Sequence, residues 1–593
     1  MRQLNGKALY YAFVSGAYEV VQKRDVLNRI NVFPIADGDT GSNLVFTMRS
    51  IVDDATVFDS AKHTMNSIAD AALIGARGNS GIIFAQFIRG INTGIGDVED
   101  ITVRDFSEAV KNAIPYAYEA VSDPTEGTIL TVMRDWADSL VSLYDHAKDF
   151  DDLFAQSMEA AVKSLRDTPN KLRVLKRASV VDSGAKGFVH FLQGFQRFIE
   201  SGKSMEVVFE QLPIELEADQ DFVLTATKIP FRYCTEALIS GEELAPQAIK
   251  KQLADLGDSL IVAGGGNKVR IHMHTNDPQT LMLRLRGFGE ILQQKVDDMK
   301  RQSDVIHRRK GNIALVTDSI ADIPQALIDK QQIHVIALNI MMEGSAYLDR
   351  LTMTSDTIYE LLDAMPDYPT SSQPNGKTVE AIFSFLVHHY ESIIVISVAK
   401  ELSGTFATVT RAAEKFVKEG TLITVIDSKL NSGAQGLLVT RAAEAISAGH
   451  DHESVVAIVN ETIGKSKIFV SVHTLKYMLR SGRVSSSMAF AAKLLNLKPV
   501  VSLDENGKGS IFGKAFSAKG NTKVIYRSVK AAMAASGIQE YCIVHASAPD
   551  RAAEYERLFT ELTGKGPKYI MEISAITALS AGVGSTGIAM ITD

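Results

Sequence analysis

The sequence predicts a multidomain protein with an all-α N-terminal part, a small α/β middle part and a larger α/β C-terminal part. Over residues 1 to about 200, apolar residues recur at three- and four-residue spacings, which indicates amphipathic helices. The first such series is Leu9, Phe13, Ala17 and Val20. From residue 221 short β-branched runs appear, and from residue 312 such runs alternate with helical segments, which is typical of an α/β sheet. A length of 593 residues also favours several domains.

Further elements follow from the same periodicities. In the first part we predict helices at 60–74, 106–121, 128–144 and 153–165. In the middle part we predict strands at 222–227, 259–263 and 269–274 and a helix at 246–256. In the last part we predict strands at 313–316, 336–340, 393–397, 423–426, 468–472 and 542–544. The charged segment 300–311 is the candidate linker, and the predicted domains are 1–205, 215–305 and 312–593.

Composition excludes several classes of protein. The net charge of −8 argues against broad nucleic-acid binding, which needs a basic face. With only Cys234 and Cys542, no disulfide framework is expected, which favours a reducing compartment. No uninterrupted apolar run reaches the length of a membrane span, and the first residues do not resemble a secretory signal. We therefore expect a cytoplasmic protein without stable membrane insertion.

Residues 37–43 read Asp-Gly-Asp-Thr-Gly-Ser-Asn and predict a magnesium site beside a phosphate cradle. Mg²⁺ prefers oxygen ligands and is held in nucleotide sites by one or two carboxylates together with the phosphates, which gives Asp37 and Asp39 this role. The alternative interpretation is a solvated turn, since Asp and Gly are common turn residues.

Two further runs of small residues favour the first interpretation. Residues 75–81 read Gly-Ala-Arg-Gly-Asn-Ser-Gly and lead directly into an apolar segment, as a loop before a helix N-terminus does. Residues 181–187 again place small residues around one Asp ahead of an apolar segment. Because helix N-termini attract phosphate, the three runs together predict phosphoryl transfer.

These runs resemble the nucleotide-binding domain of dihydroxyacetone kinase, and more closely the kinase component of bacterial fatty acid kinase. The resemblance covers residues 1 to about 200 and implies an eight-helix barrel that binds ATP and Mg²⁺, with Asp37 and Asp39 as catalytic metal ligands. Where dihydroxyacetone kinases carry a third carboxylate, this chain offers Asn31. The residues implied to bind the nucleotide are Thr40, Gly41, Ser42, Asn43, Gly78, Asn79, Ser80, Gly81, Asp182 and Gly184.

Three residues of the middle part have side chains of the types that bind zinc. His272 and His274 lie on the same face of a predicted strand because side chains alternate, and Cys234 is one of two cysteines. Histidines on a strand face and a buried cysteine also occur without metal. The region is similar to the middle domain of fatty acid kinase in its Tyr-Cys-Thr-Glu run (233–236) and its His-x-His run, and that resemblance implies that Cys234, His272 and His274 bind Zn²⁺.

Residues 312–593 resemble the DegV family of fatty-acid-binding proteins. The matching segments are 317–324, 370–374, 402–405, 475–485 and 497–500. The resemblance implies two α/β lobes with an apolar tunnel between them and a fatty acid carboxylate at its mouth. The residues implied to bind that carboxylate are Ser371, Ser372, Ser403, Gly404 and Ser580, with Arg483 also as a catalytic cation.

Two positions depart from the DegV pattern. Near the C-terminus Ser580 stands where relatives have His, and Phe516 stands where they have Arg. Either change allows a weaker grip on the carboxylate or a different headgroup.

Taken together, the residues and resemblances predict a single-chain fatty acid kinase that makes acyl phosphate from ATP and a bound fatty acid. One alternative is a non-catalytic lipid-binding or regulatory protein with an ATP-sensing domain. Another is a kinase for a small hydroxylated substrate such as dihydroxyacetone, which needs no apolar tunnel. The expected partners are a fatty acid and an acyl-phosphate-using acyltransferase of phospholipid synthesis, with a homodimer left open.

Overall fold

The structure is a computed structural model that describes residues 1–34, 38–203, 229–362, 365, 367–482 and 498–593. The chain divides into two compact units, Met1–Gln302 and Ser303–Asp593. Among the described residues, no helix has both the length and the apolar character needed to cross a membrane.

The predicted all-α fold of the first part is confirmed. In the described residues up to 203, eight helices of 15 or more residues and two helices of six residues are present. Their bounds are α1 (Gly6–Gln22), α2 (Arg24–Arg29), α3 (Thr40–Asp54), α4 (Ala61–Gly75), α5 (Gly78–Gly94), α6 (Val103–Ala120), α7 (Ile129–Leu143), α8 (Phe150–Lys171), α9 (Arg173–Ala178) and α10 (Ser183–Ser201). Two short strands, β1 (Gln3–Leu4) and β2 (Ile101–Thr102), pair antiparallel.

Seven of the eight long helices form a closed ring, and α3 packs on α1, α4 and α5. Helix α1 packs on α4, the packing continues through α5, α6, α7 and α8 to α10, and α10 packs back on α1. Aromatic side chains fill the centre, where Phe154 and Phe195 stack and Trp136 packs edge-on against Phe188. Burial of such rings is the main stabilising term of a helical core.

Several of these helices begin at residues whose side chains satisfy the free N–H groups of the first turn. Ser60 accepts from His63 N ahead of α4, and Thr102 forms a reciprocal capping box with Asp105 in α6. Asp149 and Asp182 cap α8 and α10 in the same way. The predicted helices are correct because these local signals agree with the apolar periodicity.

The middle part is a three-stranded antiparallel sheet in the order β4–β3–β5. Its strands are β3 (Tyr233–Leu244), β4 (Gly257–Thr275) and β5 (Glu290–Asp298), and its helices are α11 (Pro246–Leu253) and α12 (Pro278–Arg286). The two strands predicted at 259–263 and 269–274 are one continuous strand, which passes through the glycines at 264–266. Strands β3 and β5 were not predicted because charged side chains mask their alternation. The strand predicted at 222–227 lies outside the described residues.

Strand β4 joins this sheet to the helical ring within the first unit. Ile261 and Ala263 belong to the same apolar core as the helices, and Gly264 N donates to Gln86 Oε1 of α5 (3.0 Å). The segment predicted as a linker is helical, since α13 (Met299–Arg308) follows β5 directly. Its charged sequence resembled a linker because the segment contains few apolar residues.

The second unit has the predicted α/β architecture, with three sheets in its described part. The strands are β6 (Ile313–Asp318), β7 (His334–Ile336), β8 (Asn339–Met342), β9 (Ser345–Leu348), β10 (Thr370–Ser372), β11 (Ser392–Ser397), β12 (Leu422–Asp427), β13 (Ser466–Ser471), β14 (Lys498–Leu503), β15 (Gly509–Ala515), β16 (Glu540–His545), β17 (Ile570–Glu572) and β18 (Thr586–Ile591). The helices are α14 (Gln325–Gln331), α15 (Ser355–Leu361), α16 (Gly376–Val387), α17 (Thr405–Lys418), α18 (Ser432–Ser447), α19 (His452–Lys465), α20 (Lys476–Arg480), α21 (Ala518–Ser536), α22 (Pro549–Thr563) and α23 (Ala575–Ala581).

The sheets differ in pairing. A four-stranded parallel sheet has the order β12–β11–β6–β7, and a largely antiparallel six-stranded sheet has the order β15–β14–β13–β18–β16–β17. A small antiparallel sheet has the order β10–β8–β9. The single strand predicted at 336–340 is therefore divided between two sheets, as β7 and β8.

Candidate active site and candidate metal centre

The first candidate loop ends at the N-terminus of α3. Asp39 precedes this helix, and its side chain makes no capping hydrogen bond, while its carbonyl accepts from Asn43 N (2.8 Å). Thr40 and Asn43 are buried, and Ser42 exchanges hydrogen bonds with Asn28 at 3.0 Å. The Asp39 carboxylate is thus not used by the helix itself.

The second candidate loop packs tightly against the first. Gly78 begins α5 in the left-handed conformation (φ 55°), and a Cβ there would lie 2.2 Å from Asn43 Nδ2. A Cβ on Gly81 would lie 2.6 Å from Thr47 Oγ1 of α3. These glycines allow the N-terminal turns of α3 and α5 to lie against each other.

The third candidate loop meets the second. Asp182 caps α10 by accepting from Ala185 N (2.8 Å), and burial raises its pKa to about 6. A Cβ on Gly184 would lie 2.8 Å from Ser80 Oγ. Asn79, next to Ser80, has a buried amide oxygen without a hydrogen-bond partner among the described residues.

Three helix N-termini, those of α3, α5 and α10, therefore converge. Their positive ends and small side chains favour an anionic ligand such as a nucleotide phosphate. Asp37 lies outside the described residues, so its proposed pairing with Asp39 at Mg²⁺ stays a prediction. Asn31, which precedes this loop in the sequence, is buried, and its amide side chain adds no carboxylate to the predicted metal site.

The three predicted zinc ligands come together. One ligand atom each of Cys234, His272 and His274 lies within 4.8 Å of the others. Cys234 Sγ is 3.8 Å from His272 Nδ1. The cause is strand register, since Cys234 pairs with His274 across β3 and β4 and the alternate residues share one face.

The chemistry of this cluster fits Zn²⁺. His272 Nε2 is buried and has no partner among the described residues. Burial lowers the pKa of His274 to about 3, so that imidazole is neutral and able to bind a metal, while its Nδ1 lies 3.3 Å from Asp258 Oδ1. Burial raises the pKa of Cys234, so metal binding would release the thiol proton.

Glu236 was not predicted and lies directly beside this cluster. Its carboxylate is buried (2% exposed), with Oε1 2.7 Å from Gly78 N and 3.6 Å from His272 Nδ1. Oε2 accepts from Arg77 Nη1 (3.2 Å) and Arg270 Nη2 (3.4 Å). Burial opposes ionisation, but His272, Arg270 and the neighbouring cations hold the pKa of Glu236 well below its usual range.

This contact changes the role expected for Gly78. Its N–H, one of those predicted to bind phosphate, donates to Glu236 instead. The sequence did contain a signal, because Glu236 and Arg270 have the same two-residue spacing from the predicted ligands that places side chains on one strand face.

In the second unit the structure brings together two of the predicted carboxylate-binding loops. Ser371 and Ser372 lie on β10, opposite Ile340 and Asn339 of β8. A Cβ on Gly404 would lie 2.0 Å from Gln373 Oε1, so the loop of Ser403 touches the loop of Ser371. Both serines are half-buried.

Ser403 also has a local role. Its hydroxyl lies 2.8 Å from Thr405 Oγ1 and accepts from Thr405 N (3.3 Å) where α17 begins. This is the loop-capping function that Ser and Thr serve at many helix starts.

The remaining predicted headgroup residues are partly placed. Ser580 Oγ donates to Ser481 Oγ (3.2 Å), and the preceding carbonyl, Leu579 O, accepts from Tyr368 Oη (2.6 Å). The segment of Tyr368 and Ser371 therefore contacts α23. Phe516 is 68% exposed. Arg483 lies outside the described residues.

Comparison with known families assigns three domains to successive segments. The DAK2 domain model matches residues 34–197, the FakA-like middle domain model of fatty acid kinases matches 230–306, and the DegV family model matches 312–593. The chain therefore carries a DAK2 domain, a fatty acid kinase-type middle domain and a DegV domain. In this order they form a fatty acid kinase-type architecture whose kinase-type domains imply ATP and Mg²⁺.

Curated relatives include two staphylococcal proteins of unassigned function. A Staphylococcus epidermidis protein is 33% identical over 318 residues, which cover 52% of this chain and 57% of the relative. A Staphylococcus saprophyticus protein is 32% identical over 339 residues, which cover 55% and 61%. The chain spans less than two thirds of the length of these relatives.

Solved structures similar to this chain include DegV, a fatty acid binding protein from Bacillus subtilis, at 27% identity. The match covers 48% of this chain and 100% of that protein, with a TM-score of 0.43. A fatty acid binding DegV family protein from Thermus thermophilus is 26% identical over the same shares, with a TM-score of 0.44.

Proposed function

We propose that this protein is a single-chain fatty acid kinase. A carboxylate oxygen of a fatty acid attacks the γ-phosphorus of ATP, the bond from that phosphorus to the β,γ-bridging oxygen breaks, and acyl phosphate and ADP result. The carrying observation is the convergence of three helix N-termini at Asn43, Ser80 and Asp182 in the segment matched by the DAK2 model.

The kinase site is proposed to work through positioning and charge rather than through covalent chemistry. Asp39, together with Asp37, would hold Mg²⁺, which neutralises phosphate charge when bound. Asn79 supplies a buried amide, and the N-terminal turns of α3, α5 and α10 supply positive ends for the phosphates.

The acceptor needs no general base, because a carboxylate is already ionised near neutral pH. It needs orientation, for which hydroxyl donors are suited. Ser371 and Ser403 are proposed to supply these hydroxyls, and burial of the acyl chain, about 0.8 kcal/mol per CH₂, supplies most of the affinity.

Placing the kinase-type and DegV domains on one chain keeps the acceptor near the kinase site, which raises its effective concentration. The product is a mixed anhydride prone to hydrolysis, so we expect an acyltransferase to consume it. A homodimer and a cytoplasmic location stay predictions.

Trapping of the product tests this proposal. The full chain is incubated with Mg-ATP and a long-chain fatty acid, and acyl phosphate is captured by hydroxylamine as the hydroxamate. Asp39→Asn should lower the rate at least about hundredfold, the scale of lost electrostatic stabilisation in other sites. Asp54→Asn, the same charge change at the other end of α3, should leave the rate near that of the wild type.

Full activity of Asp39→Asn would contradict the assignment of the site. Nucleotide binding without formation of any hydroxamate would instead favour the ATP-sensing regulatory alternative. The exposed Phe516 and the serine at position 580, which depart from the DegV pattern, are consistent with that alternative. Phosphorylation of dihydroxyacetone but not of fatty acid would identify the small-substrate alternative.

A further inference from the structure

One carboxylate connects the candidate metal centre to the candidate nucleotide site. Glu236 Oε1 lies 2.7 Å from Gly78 N, at the first turn of α5, and 3.6 Å from His272 Nδ1. The other oxygen of the same buried carboxylate, Oε2, accepts hydrogen bonds from Arg77 and Arg270. Glu236 is therefore shared between the two sites.

The contact with Gly78 is specific. A backbone N–H at a helix N-terminus is ordinarily available to an incoming anion, whereas here an internal carboxylate occupies it. The buried Glu236 has cationic partners and is 158 residues distant from Gly78 in the chain. Removing such a partner leaves a buried donor unsatisfied, so the interaction fixes the position of the loop.

Glu236 also lies beside the ring of His272, where a carboxylate can orient a metal-binding imidazole. Metal-binding imidazoles usually present one nitrogen to the metal and direct the other toward a carboxylate, which fixes the ring. His272 Nε2 has no partner among the described residues, while Nδ1 lies 3.6 Å from Glu236 Oε1 and 3.8 Å from Cys234 Sγ. The three ligand atoms lie within 4.8 Å of one another, so a bound metal would restrain the ring against Glu236.

A displacement of Glu236 would reach the nucleotide site through close packing. Gly78 has a left-handed backbone and stands so close to Asn43 that even a Cβ would lie 2.2 Å from Nδ2. Closely packed groups shift together rather than independently. A change at His272 would thus pass through Glu236 and Gly78 to Asn43.

We propose that Glu236 is a positioning residue that couples occupancy of the Cys234–His272–His274 centre to nucleotide affinity. This inference rests on the proposed function, since it takes the Asn43 and Gly78 loops as the nucleotide site. Coupling is reciprocal, so zinc tightens nucleotide binding and nucleotide tightens zinc binding by the same factor.

Titration calorimetry of the full chain tests the coupling. The dissociation constant of a non-hydrolysable ATP analogue with Mg²⁺ is measured on zinc-loaded protein and on protein stripped with a chelator and kept zinc-free. We expect the loaded protein to bind about tenfold more tightly, within the usual range of coupling.

Two matched variants test whether the coupling depends on Glu236. Glu236→Gln should bring the ratio of the two dissociation constants close to one while zinc is still bound. Gln293→Ala removes another partner of Arg270, the Oε1 that accepts from Nη1 at 3.0 Å, without touching Gly78. This control should keep the wild-type ratio.

If Glu236→Gln does not fold, a spectroscopic measurement tests the coupling instead. In the wild-type chain loaded with Co²⁺, the analogue should shift the visible absorption of the metal, and Arg77→Gln should reduce that shift by weakening the loop contact to Oε2. A purely structural role of Glu236 would lower stability without linking the two ligands.

The outcomes are distinct. Nucleotide binding with equal affinity in loaded and stripped wild type, or an unchanged ratio in folded Glu236→Gln, overturns the coupling and leaves the proposed kinase intact. Absence of nucleotide binding in both wild-type forms overturns the coupling together with the proposed function.

Discussion

The two candidate sites of this chain are built from different parts of the peptide. In the first unit the site is made by backbone and glycines, where Gly78, Gly81 and Gly184 let three helix ends approach within less than a side chain's width. In the second unit the candidate headgroup site is made by half-buried hydroxyls of Ser371 and Ser403 on a strand and a loop.

The difference teaches how each site should respond to mutation. A site made by close backbone approach is damaged by any added atom, because well-packed neighbours have no room to move. A site made by side-chain hydroxyls tolerates repacking but loses its ligand orientation when the hydroxyls are removed. The predictions below run from the largest expected effect to the smallest, and those at Gly78 and at Ser371 and Ser403 test that contrast directly.

Zinc removal should have the largest effect, because the centre ties β3 to β4 beside the nucleotide loops. At a thousandfold excess over its dissociation constant, a ligand of the native state contributes about 4 kcal/mol to the free energy of unfolding. Denaturant unfolding of the first unit with and without a chelator should show this difference.

Elemental analysis identifies the ligands. The wild type is expected to hold one zinc per chain, and Cys234→Ala should lose it. Cys542→Ala, which changes the other cysteine, buried in the second unit, should retain it. Equal zinc in both variants, or none in the wild type, would rule out this centre.

The substitution Gly78→Ala is expected to have the second-largest effect. The left-handed backbone and the displacement of Asn43 should lower the free energy of unfolding by about 2 kcal/mol. Because Asn43 moves, the rate of phosphoryl transfer should fall about hundredfold.

Gly202→Ala is the matched control for that prediction. Gly202 has nearly the same φ (62°), but a Cβ there meets nothing within 4 Å. The control should cost about 1 kcal/mol and leave transfer unchanged. If both variants lost transfer equally, backbone strain rather than close approach would be the cause.

The double variant Ser371→Ala, Ser403→Ala should have the smallest effect on the fold. Loss of two hydroxyl contacts, about 1 kcal/mol each, should lower turnover about thirtyfold, while lipid retained by the purified protein stays detectable by mass spectrometry. Ser447→Ala, Ser528→Ala removes two hydroxyls elsewhere in the same unit and should not alter turnover. Unchanged turnover in the first pair would place the carboxylate elsewhere, with Ser580 the next residue to change.

Much of the fold follows from local pattern. The helices α4, α6 and α7 begin and end within about three residues of their predicted bounds, because apolar periodicity depends on residues that are close in the chain. Strands β3 and β5 escaped prediction, since charged side chains such as Glu236 in β3 and Lys295 in β5 mask their alternation.

The candidate sites show the same division. The three small-residue loops were recognisable because each combines glycines with capping residues directly ahead of an apolar run. The contact of the Ser371 and Ser403 loops was implied only by family resemblance, since Gln373 and Gly404 meet through the tertiary fold.

By itself the sequence determined the helical and α/β parts, the loops at helix starts and the set of possible metal ligands. Only the tertiary structure decided that Glu236 takes the N–H of Gly78 and stands beside His272. The physical reason is the distance along the chain over which each effect acts. Periodicity, capping and turn chemistry depend on neighbours in the chain, whereas the partner of a buried carboxylate is selected by which distant segments the packed core brings within hydrogen-bond distance.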